Sequence, residues 1–225
     1  MAPVVEPPAT TAIQDYAKAI YSLERRSDGE AVATNDLAAQ LAVSSGSVSA
    51  MLRRLAELGL VEHERYHGVR LSDEGRRVAL RVIRRHRLLE LFLVEVLDVP
   101  WDLVHREAEI LEHALSDELV ERVAVKLGHP SHDPHGDPIP SADLTVEEQA
   151  TVTLGELEVG ERGTVARVSD ADSEMLRYLQ ARDVGLGTEL EVIERQPIAG
   201  LLVVRAAGAE HQLGGELARA IRIAR

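Results

Sequence analysis

Two imidazoles and two carboxylates, His105, Glu109, Glu112 and His113, fall within the run His105-Arg106-Glu107-Ala108-Glu109-Ile110-Leu111-Glu112-His113. On a helix turning roughly 100° per residue, these four share about a quarter-turn arc, while Ile110 and Leu111 point elsewhere. Carboxylate with imidazole, in a chain that has no cysteine, suits a divalent metal of intermediate hardness: carboxylate favours manganese, and imidazole also accepts iron, zinc or nickel. A solvated acidic helix face carrying two incidental histidines would look the same. The weight therefore rests on what else the chain supplies.

The elements that must position these groups follow from length and patterning. At 225 residues and 45% apolar content the chain can bury a proper core in one large domain or two to three small ones. Without cysteine, disulfides, thiolate zinc sites and cysteine catalysis are excluded. No apolar run approaches the roughly 18 residues of a membrane helix, and residues 1–11 lack the basic start and apolar centre of a signal peptide. The expectation is a soluble, cytoplasmic protein with no membrane partner.

A net charge of −13 argues against DNA as a partner only if the charge is evenly spread. It is not: residues 40–90 hold ten Arg against six Asp or Glu, whereas residues 91–225 hold 12 basic against 26 acidic residues.

After a Pro-rich arm over residues 1–10, Ile13, Tyr16, Ala17, Ile20, Tyr21 and Leu23 predict a first helix from Ala12 to Arg26, carrying Asp15 and ended by Asp28-Gly29. Thr34 or Asn35 can cap a short second helix over 36–41, and Val48, Met51, Leu52, Leu55 and Leu58 define a third up to Gly59. Helix, short turn, helix is the pattern whose second helix enters the major groove. Ser44, Ser45, Ser47 and Ser49 cluster at its start, where hydroxyls and N–H groups can grip phosphate or base edges, and Arg53 and Arg54 follow on the polar side. Residues 60–71 alternate apolar and polar about a turn at His67-Gly68, as a wing would, with Arg65, His67 and Arg70 placed to touch the DNA backbone.

Ser72-Asp73-Glu74-Gly75 starts a long helix running to Leu97, with His86 and Glu90 one turn apart on one face. Pro100 stops it, and Trp101-Asp102 opens the helix that bears the central cluster. Leu88, Leu89, Leu91, Phe92, Leu93 and Val94 exceed one amphipathic stripe, so part of that surface is expected to meet a second subunit. Residues 129–140, with His129, His132 and His135, read as a breaker-rich loop whose histidines could bind adventitious metal but are expected as surface loop residues. From Leu154 the texture becomes β-like, over 163–168, 189–194, 201–206 and 221–224, with one helical piece over 173–182. That describes a small β-barrel, with Asp170 and Asp172 in a loop that could reach another domain.

In this order these parts resemble the diphtheria toxin repressor family of metal-dependent transcriptional regulators, and within it the longer, three-domain manganese transport regulators. The resemblance covers about residues 12–225. It is carried by Asp15-Tyr16 with Ile20-Tyr21, by Arg84-Arg85-His86-Arg87-Leu88-Leu89-Glu90, by Val104-His105 to Glu112-His113 with Ser116-Asp117-Glu118, and by His135-Gly136-Asp137-Pro138-Ile139-Pro140.

The resemblance implies a mainly α fold with small β parts. A winged helix-turn-helix DNA-binding domain (1–72) precedes a helical dimerisation and metal-binding domain (73–140), a linker (141–153) and an SH3-like, FeoA-like β-barrel (154–225). It implies a principal metal site on Asp15, Glu109, Glu112 and His113. An ancillary site falls on His86, Glu90 and His105, completed from the barrel by Asp170, with Asp172 the near alternative; the other aligned position is Arg167, which cannot ligate. Iron-selective members carry Met and Cys where this chain has Asp15 and Glu109, so hard donors point to Mn(II). Lys18, where two-domain manganese regulators place an extra Glu, disfavours a closely spaced ion pair.

The expectation is a Mn(II)-responsive, dimeric repressor that binds palindromic operator DNA when metal is bound and controls metal uptake or homeostasis genes. The same fold responding to Fe(II) or Zn(II) is the alternative, with Fe(II), Co(II) or Zn(II) also binding in vitro. A metal-dependent hydrolase is the remote one: there is no His-Glu-x-x-His run, nucleophile elbow or phosphate loop, so neither catalytic residues nor a small organic substrate are expected.

Overall fold

The computed structural model describes residues 10–27, 29–64 and 68–225. The Pro-rich start, Asp28, and the wing positions Arg65 and His67 lie outside them. Two compact units result. The first holds residues up to Arg85 with Ala142–Leu144, the second His86–Ser141 with Thr145–Arg225.

In the first unit, α1 (Thr11–Arg26), α2 (Thr34–Gln40) and α3 (Ser45–Glu57) precede the hairpin β1 (Val61–Glu64) and β2 (Gly68–Leu71). The helices form where the apolar spacing predicts. Ile13, Tyr16, Ala17 and Ile20 of α1, Leu37 of α2, and Val48, Leu52 and Leu55 of α3 are buried, each such aliphatic side chain being worth roughly 1.5–3 kcal/mol over its exposed state. α2 starts earlier than expected, with Ala33 at its N-cap and no side-chain cap. Its Leu37 fixes it against the core, so the missing cap is tolerated.

The wing is antiparallel, pairing Val61 with Leu71 and Glu64 with Gly68, and Val32 adds a bridge to Val69. Buried Glu24 holds its base, accepting from the Leu71 N–H at 2.8 Å and from Arg76 at 3.1 Å. Ser72 then starts α4 (Asp73–Leu97), its Oγ accepting from the Gly75 N–H. Glycine is required there because a Cβ would lie 1.9 Å from the Leu60 carbonyl oxygen.

In the second unit, the latter half of α4 carries two apolar stripes, not one. Leu88 and Leu91 pack with Val120, Val123, Ala124 and Ile139, whereas Leu89 and Leu93 pack with Val104 and Ala108. The leucines expected to meet a second subunit are thus consumed inside the chain. The exposed apolar residues here are instead Val96, Leu97, Leu103, Ile110, Leu119 and Val125.

Helix α5 (Val104–Leu111) is shorter than the sequence pattern predicts: Glu112 keeps helical dihedrals as its C-cap and His113 falls in the following turn. Helix α6 (Asp117–Lys126) follows, capped by Ser116 Oγ accepting from Leu119 N–H, with Asp117 and Glu118 at its positive end.

The C-terminal segment contains β3 (Val152–Thr153), a 3-10 turn (Leu154–Glu156), β4 (Arg162–Val168), α7 (Ser173–Gln180), β5 (Glu189–Gln196), β6 (Leu201–Ala206), β7 (Ala209–Gly214), α8 (Gly215–Ala220) and β8 (Ile221–Ala224). Their order, β3-β8-β4-β5-β6-β7, is an open antiparallel sheet and not the closed barrel that was expected. Two-residue β3 is too short to ladder with β7. Helix α8 contacts β3, β7 and the 3-10 turn, covering the gap. Leu154, Leu157, Val168, Leu176, Leu190, Val192, Leu213 and Ile221 fill the core of this segment.

This sheet docks onto the helices through direct contacts. Ser173 Oγ donates to the Asp102 carbonyl at 2.7 Å, Arg177 pairs with the Asp102 carboxylate at 3.0 Å, and Trp101 Nε1 donates to Gln180 at 3.2 Å. The Val168 N–H donates to the His135 carbonyl at 2.9 Å. Gly136, at φ +86°, allows this close approach, since a Cβ would meet the Ala166 carbonyl at 2.1 Å.

Candidate metal centre and nucleic-acid interface

His86 and Glu90 share one face of α4, His105 projects from α5, and Asp170 comes from the loop between β4 and α7. Their ligand atoms lie within 4.8 Å of one another. His86 Nε2 donates to Glu90 Oε1 at 3.0 Å, and His105 Nδ1 lies 3.1 Å from the same oxygen and 2.8 Å from Asp170 Oδ2. The structure therefore brings together the four residues assigned to the ancillary site. Asp172 is used otherwise, as the N-cap of α7 accepting from the Glu174 and Met175 N–H groups. Arg167 pairs with Asp137 at 3.2 Å.

These contacts set the protonation of the cluster. Burial works against ionised Glu90, but hydrogen bonds from His105 and His86 overcome it and hold its carboxyl well below the usual range. Burial likewise opposes the charge on His105, yet hydrogen bonds to Asp170, Glu109 and Glu90 outweigh it and push its pKa up to about 12. Asp170 is lowered by its bond to His105 despite burial. A raised histidine stabilises the metal-free fold fully below its ordinary pKa of 6.5, and that contribution is lost as pH rises toward about 12.

Cation binding at His105 must displace this proton, so affinity should increase with pH through neutrality and about one proton should leave per ion at pH 7. Calorimetric titrations with Mn(II) in two buffers of unlike ionisation enthalpy measure it. Equal apparent enthalpies in the two buffers would contradict the assignment of His105 as a ligand.

A second set shares Glu90. Glu90, Asp133 and His135 are all buried and meet the same distance limit. His135, expected at the surface, is 0% exposed, with Trp101 stacked on it at 5.6 Å between ring centroids. Its Nε2 donates to the Trp101 carbonyl at 2.8 Å, which leaves Nδ1 turned toward Glu90, the arrangement a metal-ligating histidine needs. That Nδ1 and Glu90 Oε2, 4.0 Å apart, have no hydrogen-bond partner among the described residues. Buried orphan acceptors of this kind fit a cation.

Asp133 accepts from the His135 and Asp137 N–H groups, and burial, then the charges of Glu90 and Asp137, raise its carboxyl well above the usual range. The sequence signal for this set was the spacing Asp133-Pro134-His135-Gly136. Its breakers suggested exposure, but here they build a tight loop closed by an His132–Pro138 bridge.

Of the principal-site residues, buried Glu112 places one carboxylate oxygen 2.5 Å from His86 Nδ1 and the other 3.4 Å from His113 Nε2. His86 therefore touches both ligand sets. Glu109 is exposed and one turn from His105 on α5, its carboxylate 3.5 Å from His105 Nε2, whereas Glu112 and His113 fall past the last residue of that helix. Asp15 lies half-buried on α1 in the first unit.

On α3 the serines stand at the exposed N-terminus. Ser44 Oγ accepts from the Ser47 N–H at 3.1 Å and sits 2.9 Å from Ser47 Oγ, while Ser49 Oγ donates to the Ser45 carbonyl at 2.9 Å. Ser45 Oγ reaches Asn35 at 3.4 Å. Arg53, Arg54 and, on the wing, Arg70 are exposed. Among the described residues no helix is long and apolar enough to cross a membrane.

Three family models match in succession: the N-terminal DNA-binding domain of iron-dependent repressors over 9–69, their metal-binding and dimerisation domain over 72–141, and the FeoA domain over 152–225. The diphtheria toxin repressor of Corynebacterium efficiens is 30% identical over 218 residues, covering 92% of this chain and 93% of that one. The iron-dependent repressor IdeR of Mycobacterium tuberculosis is 29% identical over 219 residues, covering 92% and 94%. Among solved structures, a manganese-dependent transcriptional repressor in complex with manganese is 45% identical, with a TM-score of 0.86, covering 94% of this chain and 98% of that one. ScaR with bound Cd2+ is 30% identical, with a TM-score of 0.81 and coverage of 95% and 99%. A DNA-binding domain, a metal-binding and dimerisation domain and a FeoA domain thus match in this order along most of the chain, and the protein belongs to the diphtheria toxin repressor family of metal-dependent DNA-binding repressors.

Proposed function

We propose that the chain is a Mn(II)-responsive repressor that acts as a homodimer in the cytoplasm, with the domain division 1–72, 73–140, 141–153 and 154–225. The observation that carries the metal choice is the gathered donor set of His86, Glu90, His105 and Asp170, hard oxygen and borderline nitrogen with no sulfur. The manganese-dependent repressor at 45% identity supports it.

Asp15, Glu109, Glu112 and His113 would hold the principal ion. Brought to one site without an ion, Asp15 and Glu112 would repel each other. A bound Mn(II) would supply the positive charge that lets them share one site. Asp15 then ties α1, and with it the winged helix, to the acidic turn after α5. His86, Glu90, His105 and Asp170 would hold the ancillary ion, with Asp133 and His135 as the alternative partners of Glu90.

On the DNA side, Ser44, Ser45, Ser47 and Ser49 would meet base edges and phosphates from the N-terminus of α3, with Arg53, Arg54 and Arg70 beside them. Val96, Leu97, Leu103, Ile110, Leu119 and Val125 are the apolar residues left for a second copy. A two-fold dimer presents its two recognition helices to half-sites about one helical turn, or a multiple, apart. By linkage, operator and metal tighten each other equally. On this reading the chain acts by binding metal and operator.

An Fe(II) or Zn(II) response is the second reading. It is supported by the iron-dependent IdeR relatives and by the ScaR structure with bound Zn2+, and later metals bind such donors more tightly in general. Operator mobility shift titrated separately with Mn(II), Fe(II), Co(II) and Zn(II) at one fixed salt concentration distinguishes the two. The proposal expects operator binding at the lowest free concentration relative to cellular supply for Mn(II). Binding with Fe(II) or Zn(II) but not Mn(II) supports the second reading, and metal-independent binding removes both.

A further inference from the structure

The first unit contains a cleft of about 290 Å³ lined by Glu24, Arg25, Gly29, Arg70, Leu71 and Arg76. Among the described lining residues, three guanidinium groups face one carboxylate, in a chain of net charge −13. The carboxylate is committed to the fold: both oxygens of Glu24 are engaged, by the Leu71 N–H and by Arg76, and the side chain is buried. Arg70 donates to the Gly29 carbonyl, a neutral acceptor. Arg25 and Arg76 both lean on the Tyr21 ring, at 6.0 and 5.5 Å from its centroid, which orients them at the cleft.

Several physical features favour an anion here. Guanidinium planes offer paired N–H donors that match phosphate oxygens, and stacking on an aromatic ring lowers the entropy lost on forming those bonds. The volume lies at the low end of ligand pockets, about 300–1,000 Å³, and the lining is charged where organic ligand pockets are apolar. A compact, multiply charged group fits these walls better than a drug-sized molecule.

We propose that this cleft is a seat for a phosphate group, gripped by Arg70 and Arg25 with Arg76 completing the cationic wall. Two sources present that chemistry: the backbone of operator DNA beside the wing, and a free phosphate-bearing anion. The DNA source rests on the repressor reading above, whereas the free-anion source does not.

Arg25→Gln and Arg70→Gln in the full chain test it, with Arg76 left intact because it neutralises buried Glu24. Arg162→Gln, on an exposed arginine of the C-terminal sheet, controls for the loss of one charge. One arm measures operator affinity with saturating Mn(II) from 50 to 200 mM salt. If the seat holds a backbone phosphate, each cleft variant lowers the slope of log K against log salt by about one, and Arg162→Gln does not.

The second arm titrates metal-free protein with inorganic pyrophosphate and follows backbone amide shifts of the first unit. If the seat takes a free anion, wild type shows saturable shifts around Gly29 and Leu71 that both cleft variants lose, with operator slopes unchanged. Wild-type-like slopes together with no saturable pyrophosphate shifts overturn the proposal. Should wild type fail to bind any operator, the repressor reading fails and the pyrophosphate arm alone decides the seat.

Discussion

Asp15→Ala is expected to leave operator affinity in saturating Mn(II) no higher than in chelator. Allosteric coupling between two ligands is typically worth 1–3 kcal/mol, so the metal-dependent gain that disappears should be about 5–150-fold. Asp15 is the only ligand assigned to the winged-helix unit, and the other assigned ligands belong to the second unit. Removing it leaves the ancillary set intact, so the variant should still bind Mn(II) there and fold normally, while the ion no longer biases the recognition helix. Fluorescence anisotropy of a labelled operator, with and without Mn(II), measures the effect. An undiminished Mn(II) response in Asp15→Ala would remove the principal site.

Glu90→Ala should have the largest effect on stability. Glu90 is 0% exposed, and one of its oxygens serves both His86 and His105. Deleting one partner of a buried ionic set typically costs about 3–5 kcal/mol, because the remaining charge is left uncompensated. Denaturant unfolding in chelator at pH 7 should show that loss in the second unit, and Mn(II) stoichiometry should fall by one ion per chain.

The sign with pH is fixed by the depressed carboxyl. The stabilisation by Glu90 is present above its ordinary pKa of 4.5 and lost as pH falls through its folded value. The difference between wild type and variant should therefore shrink in acid. A variant as stable as wild type at pH 7 would show that the cluster contributes no net stability.

The winged helix was legible in the sequence because its signals are local: helical spacing in α1 and α3, a serine cap at Ser44, and alternation about the wing. The ancillary set was legible in part for the same reason, since His86 and Glu90 are one turn apart on a strongly patterned helix. Asp170 could be named only by resemblance, since no local pattern links a loop after β4 to α5. Its competitor Asp172 is explained by the geometry of α7, where a carboxylate at the N-cap satisfies two N–H groups.

What the sequence concealed is tertiary. His135 sits in a segment dense with proline and glycine, which reads as exposed loop. In the fold, Gly136 lets that loop approach β4 closely enough to bury it. Leu88 to Leu93 looked like surplus apolar surface because α6 was not anticipated; with α6 and α5 in place both stripes of α4 are covered. The barrel stayed open because strand pairing depends on length across the closing edge, and Val152–Thr153 is too short to provide it. Likewise, α5 ends at Leu111, so the face inferred from helix periodicity does not extend to His113.

The proposed switch depends on one divalent cation joining Asp15 to Glu112 and His113. Anomalous diffraction from crystals grown with excess Mn(II), collected on either side of the manganese absorption edge, tests this directly. The predicted result is an anomalous peak within coordination distance of the Asp15 carboxylate, Glu112 and His113; a peak bound by Glu112 and His113 without Asp15, or none there while the ancillary set is filled, would contradict it.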